Sequence, residues 1–529
     1  VARLSDKLPD RRVLAALVVV IVIVLIVVLT SSGSAPEKPP ATGAASLVPS
    51  DALAYIHLST DESRPAVTSA LAMAERFPSY VLVRDELLAQ LHLTGPGVAV
   101  DFGSDIRPWL GKEAALAVFD TSTSTAGSLI VVSVANHRAA EHFVAGLPTD
   151  GSASYDGTTI TGHPGAGDTA FVGRYLLVGH SASLRAAIDV ADGRAPALSQ
   201  NPSYRRAAAT EPAARAVDAY VSSVGVTRLL STRHGVLGIL GNLLYQPTLE
   251  GIALSLTPVS GGLKVLVHSV LDPQLTRVSP TTFTPTLASE VPAGAALMLD
   301  VTGLNRVLPH VLDTIGIGAR IPKLLKALGI ALTAEGVDVD QDILSLFRRE
   351  SAVVISTHGS APVFTVLAHT PDPSVTRTVF AELEQPLERL FAPAGAAAGQ
   401  APSFSSVLVG GVAAHQLSLA PGLQFDYAVI NHELVLSTNL SGIAGVARHA
   451  SSLVGETAYR TALGDHPARV TSLLFLDLTQ LLRLDEQTGL VTGLRFLALK
   501  PDLERIHAIG MDSTSGEAES TEELFLQIS

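Results

Sequence analysis

Two stretches decide the fold, LVPSDALAYIHL at Leu47–Leu58 and EVPAGAALMLDV at Glu290–Val301. Each runs Val-Pro, then small residues, then an apolar segment with the alternation of a strand. Three more blocks repeat in the same order. DIRPWLGKEAALAV (Asp105–Val118) matches DILSLFRRESAVVI (Asp342–Ile355), and AFVGRYLLVGHSASLRAAI (Ala170–Ile188) matches AVINHELVLSTNLSGIAGV (Ala428–Val446). Tyr204-Arg205-x-Ala207-x4-Pro212 returns as Tyr459-Arg460-x-Ala462-x4-Pro467. Four blocks in one order, at nearly one offset, predict an internal duplication with units at 47–273 and 287–529.

Within a unit the pattern predicts a strand at Ala52–Leu58, helices at Arg64–Arg76 and Arg84–His92, and paired strands at Ala114–Phe119 and Ser128–Val134. An amphipathic helix follows at His137–Leu147, then a hairpin at Asp168–Gly179 turning at Gly173-Arg174, or at Asn431-His432 in the second unit. Gly and Asn suit a tight turn because both tolerate positive φ. Ser181 or Ser183 caps the next helix. Strands at Val217–Ser223, Ile252–Ser255 and Leu263–His268 complete the unit. Asp272–Pro285 reads as the connection between units, and Pro393–Ser406 as a low-complexity loop. Hairpins mixed with helices, without regular βαβ alternation, predict an α+β class with antiparallel sheets.

Upstream, Val13–Leu29 (VLAALVVVIVIVLIVVL) is apolar throughout. Such a run makes about 26 Å of helix against a hydrocarbon core of about 30 Å. Arg3, Lys7, Arg11 and Arg12 precede it, and no basic residue follows until Lys38. The positive-inside rule therefore predicts a cytoplasmic N-terminus (1–12), a single-pass transmembrane helix (13–31), a Pro-rich extracytoplasmic linker (32–46) and both units outside. A cleaved signal peptide is the rival reading, disfavoured by the long apolar run and the lack of an A-x-A site.

LVPSDALAYIHL, DIRPWLGKEAALAV and AFVGRYLLVGHS resemble the family called domain of unknown function 3352, a bacterial, mainly actinobacterial group of membrane-anchored proteins. The resemblance covers most of 47–529 and departs at Leu346-Phe347-Arg348-Arg349, which stand against Trp109-Leu110-Gly111-Lys112. It implies architecture and location, with no activity or catalytic residues attached.

The 529 residues carry a formal charge of -13 and no cysteine. That balance argues against general nucleic-acid binding, and the missing thiols exclude disulfides and cysteine chemistry. Gly179-His180-Ser181-Ala182-Ser183, between a strand and a helix, has the setting of a nucleophile elbow. Its closing residue is Ser183 instead of Gly, and no oxyanion loop precedes it. Gly162–Thr169 (GHPGAGDT) lacks the lysine of a phosphate loop. Asp101-Phe102-Gly103 has no catalytic loop to serve, and Gly316-Ile317-Gly318 is uninformative. Asn439-Leu440-Ser441 fits a glycosylation sequon, of little meaning in a bacterial protein.

His358 and His369 are placed to face one another across a hairpin, yet no zinc motif accompanies them. Glu113 and Glu350, Asp105 and Asp342, and the two Tyr-Arg pairs recur in both units. Lone carboxylates before strands are read as partners for an Arg or a backbone N–H. No catalytic, cofactor-binding or metal-ligating residue is assigned. The expected function is a non-enzymatic, membrane-anchored binding or envelope-interaction module with an apolar groove for a hydrophobic ligand or a protein partner. The alternatives are a serine hydrolase using Ser181 and a structural or assembly protein of the envelope.

Overall fold

A computed structural model describes residues 37–80, 101–120, 126–164, 167–231, 248–275, 281–304, 329–330, 332–359, 361–391, 402–420, 423–488 and 500–528. The expected α+β fold opened by a transmembrane helix is corrected by what these residues form. They build 20 strands, every pairing among them antiparallel where its register is seen, with helices as a minor component. No helix among the described residues is long and apolar enough to cross a membrane. The 13–31 segment itself lies outside them, as do Arg84–His92 and Gly316-Ile317-Gly318.

Two compact units divide the chain, one taking 1–278 with 516–523 and 528–529, the other 279–515 with 524–527. The C-terminal segment thus departs from the expected boundaries. Lys264 donates to Glu523 at 2.5 Å within the first unit.

The first unit holds β1 (Ala54–Ser59), β2 (Leu110–Asp120), β3 (Ala126–Val134), β4 (Gly151–Tyr155), β5 (Thr158–Gly162), β6 (Asp168–Val172), β7 (Tyr175–Gly179), β8 (Val217–Ser222), β9 (Leu249–Val259) and β10 (Gly262–Leu271). Pairing runs β4-β5-β6-β7-β3-β2-β1-β8-β9-β10. The polar, exposed β4 was not legible as a strand, because an edge strand has no buried face to enforce apolar alternation.

The second unit holds β11 (Leu297–Thr302), β12 (Glu350–His358), β13 (Ala361–His369), β14 (Phe404–Val409), β15 (Val412–Ala420), β16 (Leu423–Ile430), β17 (Glu433–Ser437), β18 (Ser472–Asp477), β19 (Ile506–Ser515) and residues 524–527 of β20 (Glu519–Ile528), the rest of which belongs to the first. Its pairing runs β14-β15-β16-β17-β13-β12-β11-β18-β19, the same order as β4 through β9. The turns between β6 and β7 and between β16 and β17 put Gly173 at φ 55° and Asn431 at φ 50°.

Packing follows the same registers. Tyr204, on α1 (Pro202–Ala208), stacks edge-on against Tyr55 and Tyr220 at 6.0 and 5.3 Å. Tyr459, on α2 (Thr457–Leu463), packs 5.3 Å from Phe475. The core of the first unit is filled by Phe119, Leu129, Leu177 and Leu184, none of them accessible to solvent. Residues 37–46 do not extend away from this unit: Ala44 and Ala45 are buried in the same core.

Candidate functional site

The first unit seals a group of charged side chains beside β1. His57 and Asp218 face one another across the β1–β8 pairing, with His57 Nδ1 2.9 Å from Asp218 Oδ1. Arg215 reaches the same oxygen through Nε at 2.8 Å and Glu211 through Nη2 at 3.0 Å. On the other side, His57 Nε2 lies 3.7 Å from Glu113 Oε2, beyond hydrogen-bond length. Burial works to raise the Asp218 carboxyl, but His57 and Arg215 outweigh it and hold it below the ordinary value. Glu211 goes the other way: burial, then the charge of Asp218, pushes it up to about 8 against Arg215.

Glu113 owes its inward direction to a bulge. Register shifts between Leu110 and Ala114, and Ser133 staples the bulge by accepting from Glu113 N at 2.9 Å and donating to its carbonyl at 2.8 Å. The carboxylate then accepts from Ala44 N at 3.0 Å, Tyr175 Oη at 2.8 Å and Arg174 Nη2 at 3.2 Å. Arg64 pairs with Glu37 at 3.1 Å and donates to the Lys38 carbonyl at 3.2 Å. The cluster therefore clasps residues 37–46.

In the second unit, register places Asp300 where His57 stands, opposite Ala352 as His57 is opposite Ala115. Its partner in β18 is Leu473, which stands where β8 has Asp218. No N–H or hydroxyl group among the described residues donates to either oxygen of Asp300. Burial, then the neighbouring Glu350, pushes its carboxyl up to about 9, so it is neutral at pH 7. Glu350 meanwhile caps the turn before β11, accepting from Thr286 N at 2.5 Å and Leu287 N at 2.8 Å.

The second unit also contains an open cavity of about 300 Å³. Ser356, Thr357 and Thr365 line it from β12 and β13, Ser441 and Gly442 from α3 (Leu440–Arg448), and Gln480 from α4 (Leu478–Thr488). A Cβ on Gly442 would fall 2.3 Å from Ser437 Oγ and 2.4 Å from Thr365 Oγ1, so glycine lets the helix rest directly on the sheet.

The first unit fills the equivalent place. Ala117 pairs with Tyr55 and Leu129 as Val354 pairs with Met298 and Thr365, which sets Phe119 against Ser356 and Leu129 against Thr365. A phenyl ring and a leucyl chain are thus replaced by two hydroxyls, and the space opens. From Thr365 a polar row continues across the sheet through Ser437 and Asp426 to Gln416. Burial pushes Asp426 up to about 6, with Gln416 opposing it.

The sequence singled out Ser181, which opens α5 (Ser181–Ala191). The N-cap there is His180 rather than Ser181 or Ser183, as Asn439 is for α3. The helices therefore register Asn439 with His180, one residue off the sequence match. Among the described residues no hydrogen bond joins Ser181 to a histidine, and the Ser183 hydroxyl is buried without a partner. His358 pairs with Ala361 at one end of the β12–β13 hairpin, while His369 lies at the other beside Glu433, so the two do not meet.

Asp101 caps a turn at Phe102–Ile106, accepting from Ser104 N at 2.8 Å. His163, in the glycine-rich stretch, is satisfied by the Pro148 carbonyl and Thr169. No group of three or more metal-ligating side chains forms among the described residues. The sequence reading missed His57, Asp218, Asp300 and the cavity. A histidine and an aspartate at one position of matching apolar strands were the available signal.

No curated protein matches the chain. Among solved structures, crystal forms I and IV of TP0453 are similar at 13% identity, covering 44% and 45% of this chain and 79% and 88% of that one, each with a TM-score of 0.25. Crystal form III is 11% identical over 48% of this chain and 91% of that one, with a TM-score of 0.24. The model of the family described as "Protein of unknown function (DUF3352)" matches residues 13–528, and the chain belongs to that family.

Proposed function

We propose that this chain is a non-catalytic binding module of a bacterial cell envelope, and that its second unit holds a small molecule. The cavity beneath α3 carries this reading: strands of matching register are filled by Phe119 and Leu129 in the first unit and left open by Ser356 and Thr365 in the second. Where large apolar side chains pack the first unit, hydroxyls here border an opening that a small molecule can enter from solvent. A cavity where Ser356, Thr357, Thr365 and Ser441 stand beside Val354, Leu367, Pro292 and Ala293 offers hydrogen bonds as well as apolar contact, and is best read as a site. The lining favours a polar ligand over the apolar one expected from composition.

An extracytoplasmic placement is supported by the excess of basic residues before Val13–Leu29. A reporter fused after Ser529 is expected to be active outside the cytoplasm, and cytoplasmic activity would refute the placement. For binding, the full chain purified in mild detergent is examined by native mass spectrometry beside a Ser356→Phe/Thr365→Leu variant. A co-purifying small molecule present in the parent and lost in the variant is expected. Its absence from the parent, or its persistence in a folded variant, would overturn the reading.

A further inference from the structure

We infer that the cavity of the second unit takes an uncharged, polyhydroxylated molecule of about hexose size; this rests on reading the chain as a binding module. Size gives the first limit. About 300 Å³ lies at the bottom of the usual range for ligand pockets. Charge gives the second. No Lys, Arg, His, Asp or Glu lines the space, so a phosphate, carboxylate or ammonium would shed its hydration with no counter-charge to receive it.

Hydrogen-bonding capacity then selects among neutral ligands. Ser356, Thr357 and Ser441 bring hydroxyls that make no hydrogen bond within the described residues. Each hydroxyl both donates and accepts, which is what a ligand hydroxyl also does. Gln480 adds an amide whose Nε2 is held by Asp477 at 2.9 Å, fixing its orientation. An acyl chain would leave the half-buried Ser356 and Ser441 hydroxyls without water or partner, each at a cost of roughly 1–3 kcal/mol. Aromatic rings are absent from the lining, so selectivity would rest on hydrogen bonds rather than stacking.

The test is titration calorimetry on the full chain in detergent with glucose, arabinose, myo-inositol, glucose 6-phosphate and decanoate. At least one of the first three should bind saturably, at least about tenfold more tightly than glucose 6-phosphate or decanoate. Ser356→Phe should abolish that binding, and Ser356→Ala, which only removes a hydroxyl, should weaken it by about three- to tenfold. A thermal melt checks that the Phe variant folds. Preferred binding of decanoate or the phosphate, lost in Ser356→Phe, would overturn the ligand class and leave the binding module standing. No binding by any probe, or binding indifferent to both substitutions, would overturn the class; the binding module itself then falls only if native mass spectrometry also finds nothing bound.

Discussion

His57 Nδ1 lies 2.9 Å from Asp218 Oδ1 on adjacent strands, 161 residues apart in the chain and sealed from solvent. Removing Asp218 strands the buried Arg215 and leaves His57 without its partner, so Asp218→Leu alone should cost about 3–5 kcal/mol. The double change His57→Leu/Asp218→Leu should recover part of that, because it removes the stranded imidazole but leaves Arg215 with Glu211 as its remaining carboxylate. Urea unfolding of the three proteins tests this. A double variant no better than the single would show that the pair is more than a matched charge set.

Acid should weaken the same cluster. Asp218 is held below its ordinary value, so its contribution is present above that value and is lost as pH falls through the folded one. Asp218→Leu should therefore flatten the decline of melting temperature below about pH 4. An unchanged acid limb would contradict the assignment.

Asp300 predicts the opposite dependence. Its folded carboxyl sits near 9, above the ordinary value, so the stability it permits is complete at low pH and is lost as pH rises towards 9. Replacing it by Leu should stabilise the chain at pH 8 by about 1–4 kcal/mol, with little gain at pH 4. Hydrogen exchange across Leu297–Thr302 at the two pH values reads the effect locally. A variant less stable than the parent at pH 8 would rule it out.

Glu113→Ala should loosen the segment before β1, since the carboxylate holds Ala44 N. A lost charge-assisted hydrogen bond costs about 1.5–3 kcal/mol. Amide exchange at 43–47 should rise before that of β2 itself. Uniform acceleration through the unit would mean Glu113 supports the whole core rather than the clasp.

Ser181→Ala should change stability by no more than about 0.5 kcal/mol, because His180, not Ser181, occupies the N-cap. No labelling by a fluorophosphonate is expected at Ser181. Labelling there would revive the hydrolase reading.

The strands of the matched blocks and the turn at Gly173 or Asn431 were legible because alternation and positive φ are local demands on side chains. Glu113 and Glu350 were legible as carboxylates serving backbone N–H groups. The exposed strand β4 was not, since it presents no alternation that burial would enforce, and β5 buries only Ile160 among polar neighbours. Nor did local pattern mark 37–46 as docked: a small, Pro-rich segment reads as a linker until Arg64 and Glu113 are seen to hold it.

Composition and periodicity by themselves determined that the chain carries related strand-forming blocks, has no thiol chemistry and bears an apolar run near its start. Tertiary structure alone decided that His57 meets Asp218, that Asp300 meets Leu473, and that Ser356 and Thr365 line a cavity. Register converts equal positions in two sequences into equal positions in two sheets. What fills or charges each position depends on side chains brought from distant strands, and no local pattern records that meeting.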